Sequence, residues 1–160
     1  MRAGESPQDF CERLAFEKAN AILQTIKDDN TLVLGADTIV VVDEHVLGKP
    51  TDAADAKRML QLISGRAHQV MTGASLLGKN IHDVRSETTQ VHVSRIPDYE
   101  IDAYIAMGEP MDKAGAYAIQ GIASRWIPRI DGCYFNVVGL PVPLVYRMLI
   151  KAGFDTRSTR

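Results

Sequence analysis

The residue in this chain best placed to do chemistry is Asp37, in the stretch Gly35-Ala36-Asp37-Thr38-Ile39-Val40-Val41-Val42-Asp43. Thr31 to Leu34 precede it and Ile39 to Val42 follow, and β-branched runs of that length bounded by Gly and Asp predict two buried strand segments. Asp37 is therefore expected inside a sheet. Aspartate is depleted in strands and rarely buried unless paired, so this one is either held by specific partners or is a catalytic base or metal ligand. A phosphoenzyme chemistry is disfavoured, because a nucleophilic Asp at a strand end usually has a second acid two positions on, where this chain has Ile39. Two cations stand in contexts that suit an anion. Lys49 follows Gly48 and precedes Pro50 just ahead of an expected helix, where unpaired N–H groups and the helix dipole favour negative charge. Lys113 heads Met111-Asp112-Lys113-Ala114-Gly115-Ala116-Tyr117-Ala118-Ile119-Gln120-Gly121, whose small residues permit close approach of a ligand or simply form a tight connection. Gln120 closes that segment with an amide able to donate and accept at a base edge. Lys18, on its own, reads as a solvated helix lysine.

The elements that must position these groups follow from the pattern. Ser6 as N-cap with Pro7 and Asp9 starts a helix expected to run to about Ile26, with Leu14, Ala15, Ala19, Ile22, Leu23 and Ile26 as its apolar stripe. Asp28-Asp29-Asn30 turns the chain into the Asp37 strand, Asp43-Glu44-His45 reverses it, and Val46-Leu47 returns. A helix from Thr51 or Asp52 presents Ala56, Met59, Leu60 and Ile63 and stops at Ser64-Gly65. Residues 67–78 and 84–94 alternate as two longer strands, and Ile96-Pro97 opens a helix to about Met107 with Ile101, Tyr104 and Ile105 inward. Arg125 to Ile130 reads as a strand, with Trp126 a packing residue. A final helix carries Leu144, Val145, Met148 and Leu149, and a polar tail follows from residue 154 to 160. The organisation expected is a single domain over 1–153.

With 160 residues, 46% hydrophobic and 24% charged, the chain has material for one soluble core. A net charge of −2 argues against a protein that grips nucleic acid through its phosphates. No apolar run approaches the roughly 18 residues of a membrane span. Cys11 and Cys133 lack metal-ligand spacing and no signal-peptide core is visible, so reduced thiols and a cytoplasmic location are expected. The four histidines likewise have no ligand spacing and read as structural or exposed.

Taken together the segments resemble the Maf family of nucleoside triphosphate pyrophosphatases. The resemblance runs from about Glu5 to Leu149 and rests on seven motifs in order: Leu14 to Ala19, Gly35 to Val40, Gly48-Lys49-Pro50, Met59-Leu60 with Ser64-Gly65-Arg66, Val70 to Gly73, Asp112 to Tyr117 with Ile119-Gln120-Gly121, and Asn136 to Pro141. It implies an α/β fold, a curved mixed sheet flanked by helices with a central cleft, similar to inosine triphosphate pyrophosphatases. It implies cleavage of a nucleoside triphosphate between the α and β phosphates with a divalent cation, Mg²⁺ or Mn²⁺. Asp37 then resembles the proton acceptor and, secondarily, a metal ligand. Lys18 and Lys49 resemble the cleft lysines, and Lys113 joins them as a phosphate contact. Thr38 and Gln120 stand where the family chooses its base, and Ala36-Asp37-Thr38 in place of Ser-Asp-Gln is similar to the dTTP/UTP branch, not the 7-methyl-GTP branch. A house-cleaning role on non-standard pyrimidine nucleotides follows from the same likeness, and a homodimer is compatible with it.

One departure matters. Family members usually carry an apolar strand, a Ser-x-Ser-Pro-Arg-Arg loop and a Val-Asp-Glu-like stretch ahead of the region matched here, and the present sequence has none of them. The expectation is a chain truncated relative to the family, missing arginines and a Glu from its site and therefore weakly active. The competing expectation is a non-catalytic nucleotide-binding or cell-division-related interaction module, or a start codon assigned too late.

Overall fold

The computed structural model describes residues 1–154, so most of the expected polar tail lies outside the described residues. Five strands form one sheet in the order β2-β1-β3-β4-β5, comprising β1 (Val33–Val42), β2 (His45–Leu47), β3 (Ala67–Gly78), β4 (Ile81–His92) and β5 (Arg129–Asp131). Every pairing in it is antiparallel, which corrects the expected mixed sheet. Short reversals account for this: turns join β1 to β2 and β3 to β4, α2 returns the chain from β2 to the far side of β1 as β3, and no parallel βαβ unit is made among the described residues. The two predicted segments around Asp37 are one continuous strand, with Asp37 opposite Gly73 and Thr38 opposite Thr72.

Strand pleating sorts the sheet into two faces. On one face lies α1 (Pro7–Leu23), capped by the Ser6 hydroxyl accepting from Asp9 N–H at 3.1 Å. It buries Cys11, Ala15 and Ala19 against Val33, Ile39, Val41 and Leu77, whereas Ile22 is exposed, so the apolar stripe is narrower than predicted and the helix ends before Ile26. Gly35 and Gly73 make this contact possible. A Cβ on Gly73 would lie 2.5 Å from the Cys11 carbonyl carbon, and one on Gly35 would lie 2.8 Å from the Ala19 Cβ. The helix backbone thus rests directly on the strand that carries Asp37.

The other face is covered by α2 (Ala53–Ile63), α3 (Asp98–Ala106), α4 (Tyr134–Val138) and α5 (Val142–Lys151). Ala56, Met59, Leu60 and Ile63 pack with Val40, Val42, Val70, Ile101 and Tyr104, while Leu144, Val145 and Met148 cover Ala74 and Leu76. Trp126 is buried as expected but not in a strand. Residues Ile122–Trp126 form a 3-10 turn, because the indole Nε1–H donates to Glu100 at 2.7 Å and Pro128 removes a ladder donor, and β5 begins only at Arg129. The β3–β4 hairpin closes tightly, so β4 starts at Ile81, earlier than the predicted 84.

Candidate active site

Ahead of Val40, β1 has no strand neighbour on the β2 side among the described residues, because β2 pairs only with Val40 to Val42. The open margin of β1 forms the floor of a cleft of about 360 Å³ whose walls are α1, the Lys49 loop, the 112–120 segment and the 137–139 turn. Asp37, Lys18, Lys49, Lys113, Thr38 and Gln120 all line it. Six groups spread over more than a hundred positions of sequence therefore meet in one place.

Asp37 points to the α1 face. Lys18 Nζ donates to Asp37 Oδ1 at 2.6 Å and lies 3.4 Å from the Ala36 carbonyl oxygen. The lysine side chain is 60% exposed and the aspartate 15%, so the pair sits at the mouth, with the carboxylate held and the ammonium still facing solvent. Among the described residues Asp37 Oδ2 makes no hydrogen bond, which leaves one carboxylate oxygen available to a ligand. Lys113 pairs with its neighbour Asp112 at 2.7 Å across an exposed rim, an ion pair weak enough for a phosphate to displace. Lys113 also holds Asp112 below the usual carboxylate range, chiefly by that hydrogen bond. Lys49 is carried by the loop before α2, whose N-cap Asp52 accepts from Asp55 N–H at 2.8 Å, and Gly48 O accepts from Gly115 N–H at 3.0 Å. The Lys49 loop and the Lys113 loop are thus tied together.

Two successive 3-10 turns, Glu109–Asp112 and Ala114–Ala116, lead into the 112–120 segment, with left-handed backbone at Gly115 (φ 69°) and Ala116 (φ 62°). Packing demands its small residues: a Cβ on Gly115 would press on Val40 at 2.9 Å. Tyr117 forms part of the cleft wall and is anchored by His68, with Nε2 and the phenol oxygen 2.7 Å apart. Burial pushes the His68 imidazole down to about 4, so this histidine is neutral and structural. Gln120 is set by a carboxylate that sequence reading passed over. Glu109 Oε1 accepts from Tyr104 OH at 3.0 Å and from Ile122 N–H at 3.1 Å, and a Cβ on Gly121 would lie 2.6 Å from the Glu109 Cδ. A Glu eleven positions before an unrelated Gln carries no spacing signal, although the invitation of a glycine right after Gln120 was visible.

Thr38 points to the other face and into buried polar company. Its Oγ1 lies 2.9 Å from Thr72 Oγ1 and 3.4 Å from Gly139 O, and Thr72 donates to Asn136 O at 3.1 Å. The fully buried Asn136 amide donates to Val70 O at 2.9 Å and Thr89 Oγ1 at 3.0 Å. These bonds fasten α4 and the 137–139 wall to the sheet.

Two carboxylates, Asp37 and Asp112, share the cleft, each accepting from a lysine through one oxygen. No cluster of three or more His, Cys, Asp or Glu side chains stands within metal-binding reach among the described residues. This donor set fits a hard divalent cation carried in on phosphate oxygens, since such an ion is commonly held by one or two carboxylates plus substrate and water. A second groove of about 630 Å³, near Asp29, Lys79 and Gly153, is wider, but its lysine and aspartate neutralise each other. No helix among the described residues is long and apolar enough to cross a membrane.

Antiparallel sheet, flanking helices and lysine-rimmed cleft define an α/β protein built to receive a small polyanion beside a carboxylate. The family model for Maf-like proteins matches residues 1–152, and the chain belongs to that family. Similar relatives include the dTTP/UTP pyrophosphatase of Koribacter versatilis, 56% identical over 94% of this chain and 77% of its own length. The protein of the same name from Shewanella oneidensis is 49% identical over 95% of this chain and 79% of its own, and that from Bacillus cytotoxicus 47% over 98% and 80%.

Proposed function

We propose that this chain hydrolyses dTTP and UTP to the monophosphate and pyrophosphate, acting as one domain over residues 1–153. The observation that carries the reading is the meeting of Asp37 with Lys18, Lys49 and Lys113 in one cleft. It is supported by relatives that bear an enzyme's name, and the non-catalytic alternative is not favoured. In this reading the lysines hold the triphosphate through charge-assisted hydrogen bonds. Lys18 fixes Asp37 through Oδ1, and Oδ2 takes a proton from a water whose oxygen attacks the α-phosphorus. The bond from that phosphorus to the α–β bridging oxygen breaks, and pyrophosphate departs with the bond electrons. Asp37 and the phosphates would hold Mg²⁺ or Mn²⁺, which supplies neutralisation of the charge that gathers on the leaving group. Thr38 and Gln120 face the base, where a polar group left unpaired by the wrong pyrimidine is the means of rejection. Pyrimidine nucleotides modified at the ring's open edge are substrates in the same reading.

Pyrophosphate release from dTTP, UTP, CTP and GTP, measured on this chain and on Asp37→Asn, tests the proposal. Release from dTTP and UTP that falls at least 10²-fold in the variant supports it. Equal release by both proteins removes Asp37 as the base, and tight dTTP binding with no release by the unaltered chain removes the hydrolytic reading.

A further inference from the structure

Resting on the reading that Thr38 meets the base, the structure carries one step more about how the choice is made. A threonine hydroxyl is ordinarily ambivalent, with one proton to give and two lone pairs to accept. Such a group satisfies the N3–H of uracil and the bare N3 of cytosine equally well. Selection therefore needs something that fixes where the Thr38 proton points.

Proton positions follow from the hydrogen-bond network. The Asn136 main-chain oxygen only accepts, so in its 3.1 Å bond with Thr72 Oγ1 the hydroxyl of Thr72 is the donor. That commits the single proton Thr72 has. In the 2.9 Å contact between Thr72 and Thr38, Thr72 must then accept, and Thr38 must donate. The only other partner of Thr38 among the described residues, the Gly139 carbonyl oxygen at 3.4 Å, is also an acceptor. Both arrangements send the Thr38 proton into the protein. Thr72 is fully buried, so no water enters to reverse the order.

We propose that Thr72 is the orienting residue of the pyrimidine site: by drawing the Thr38 proton inward, it leaves Thr38 an acceptor toward the cleft, which pairs with the imide N–H of uracil and thymine and repels the N3 lone pair of cytosine. Thr72 touches no substrate and acts only through Thr38. Asn136 is the terminus of the relay, held in place by Val70 O and Thr89.

The matched probes are the α,β-imido analogues of dUTP and dCTP, which resist cleavage between the α and β phosphates and differ only in the donor and acceptor pattern of the ring edge. Their dissociation constants are measured by calorimetry on the unaltered chain, Thr72→Val, Thr72→Ser and Thr38→Val. Thr72→Val keeps the shape and removes the relay, freeing the Thr38 proton to turn outward, since the Gly139 contact is long for an O–H bond. The expected signature is a gain: the dCTP analogue binds about tenfold tighter while the dUTP analogue stays within about threefold, because one hydrogen bond of discrimination is lost. Thr72→Ser retains the hydroxyl and restores the original ratio. A loosened fold would weaken both analogues together, so equal loss in Thr72→Val, or a ratio unchanged from the unaltered chain, overturns the proposal. Thr38→Val separates this from the parent reading. If it leaves the ratio untouched, Thr38 does not meet the base and both fall; if it lowers dUTP-analogue binding while Thr72→Val does nothing, only the orienting role fails.

Discussion

Substituting Gly73 by alanine tests whether α1 is docked on the sheet through the absence of two side chains. Gly73 lies in β3 opposite Asp37, and its added methyl would stand 2.5 Å from the Cys11 carbonyl carbon and 2.8 Å from the Glu12 nitrogen. Ordinary contacts begin near 3.4 Å, so the helix must retreat by roughly 1 Å, and both obstructing groups are backbone that cannot swing aside. A gap of that width forfeits a quarter to a half of each dispersion contact beneath the helix. Overpacking of this kind costs typically 1–3 kcal/mol, and a rigid obstruction puts the loss near the upper end, about 3 kcal/mol. At about 2 to 4 °C per kcal/mol for a chain of this size, the melting temperature is expected to fall by about 6 to 12 °C. The same retreat carries Lys18 away from Asp37, so pyrophosphate release from dTTP is expected to drop more than tenfold at temperatures where the variant remains folded. Thermal denaturation and turnover are measured together, with Gly48→Ala as control, since a methyl there meets nothing within 4 Å. A melting temperature within about 2 °C of the unaltered chain would refute the docking argument.

Three further outcomes are expected. Glu44 turns the β1–β2 hairpin at φ 67° and Asp43 at φ 47°, so Glu44→Gly should raise stability by about 1 kcal/mol in a urea titration, and no change would show that the turn holds no strain. His68 is held down to about 4 by burial, whereas unfolded it titrates near 6.5. The unfolded chain then binds more protons between these values, so stability is full above 6.5 and declines as pH falls toward 4, by on the order of 3 kcal/mol. His68→Gln should flatten that slope in denaturation curves taken across the range, and an undiminished slope assigns it to other groups. Glu109→Ala should lower the preference for dTTP over CTP about tenfold by releasing the turn that carries Gln120, and Gly121→Ala should do the same alone but add nothing in the Glu109→Ala background.

Much of the frame was legible because it is local. The Ser6 and Asp52 caps, the alternation of Val70, Thr72, Ala74 and Leu76, and the apolar face of α2 obey periodicities that short stretches enforce on their own. Sheet polarity was not local, and a mixed sheet was expected where every pairing is antiparallel. Arg125 to Ile130 misled because a β-compatible string was overruled by two distant carboxylates, Glu100 on the Trp126 indole and Glu109 at the Ile122 amide. Ile22 was assigned to the core by spacing alone, but the close seat on Gly35 and Gly73 fully buries only the small α1 side chains Cys11, Ala15 and Ala19, with Phe10, Phe16 and Leu23 packed partly at their flanks. Within the site, Asp37 stood out by its type among β-branched neighbours, Lys49 and Lys113 by their local contexts, and Lys18 by resemblance alone. Thr72 stood only as a member of a strand alternation and of a motif, and Asn136 only as part of a motif, since a proton's direction depends on contacts between residues 34 and 64 positions apart.

Asp37 and Thr38 are adjacent in sequence, yet the pleat sends one toward α1 and the other toward α4. Each is therefore inherited with a different layer of the protein. With the roles proposed for Thr38 and Asp37, drift in the packing around α4 would retune which pyrimidine is accepted while the layer behind the carboxylate stays as it was, and a lineage would change its diet of nucleotides without reinventing the way it breaks them.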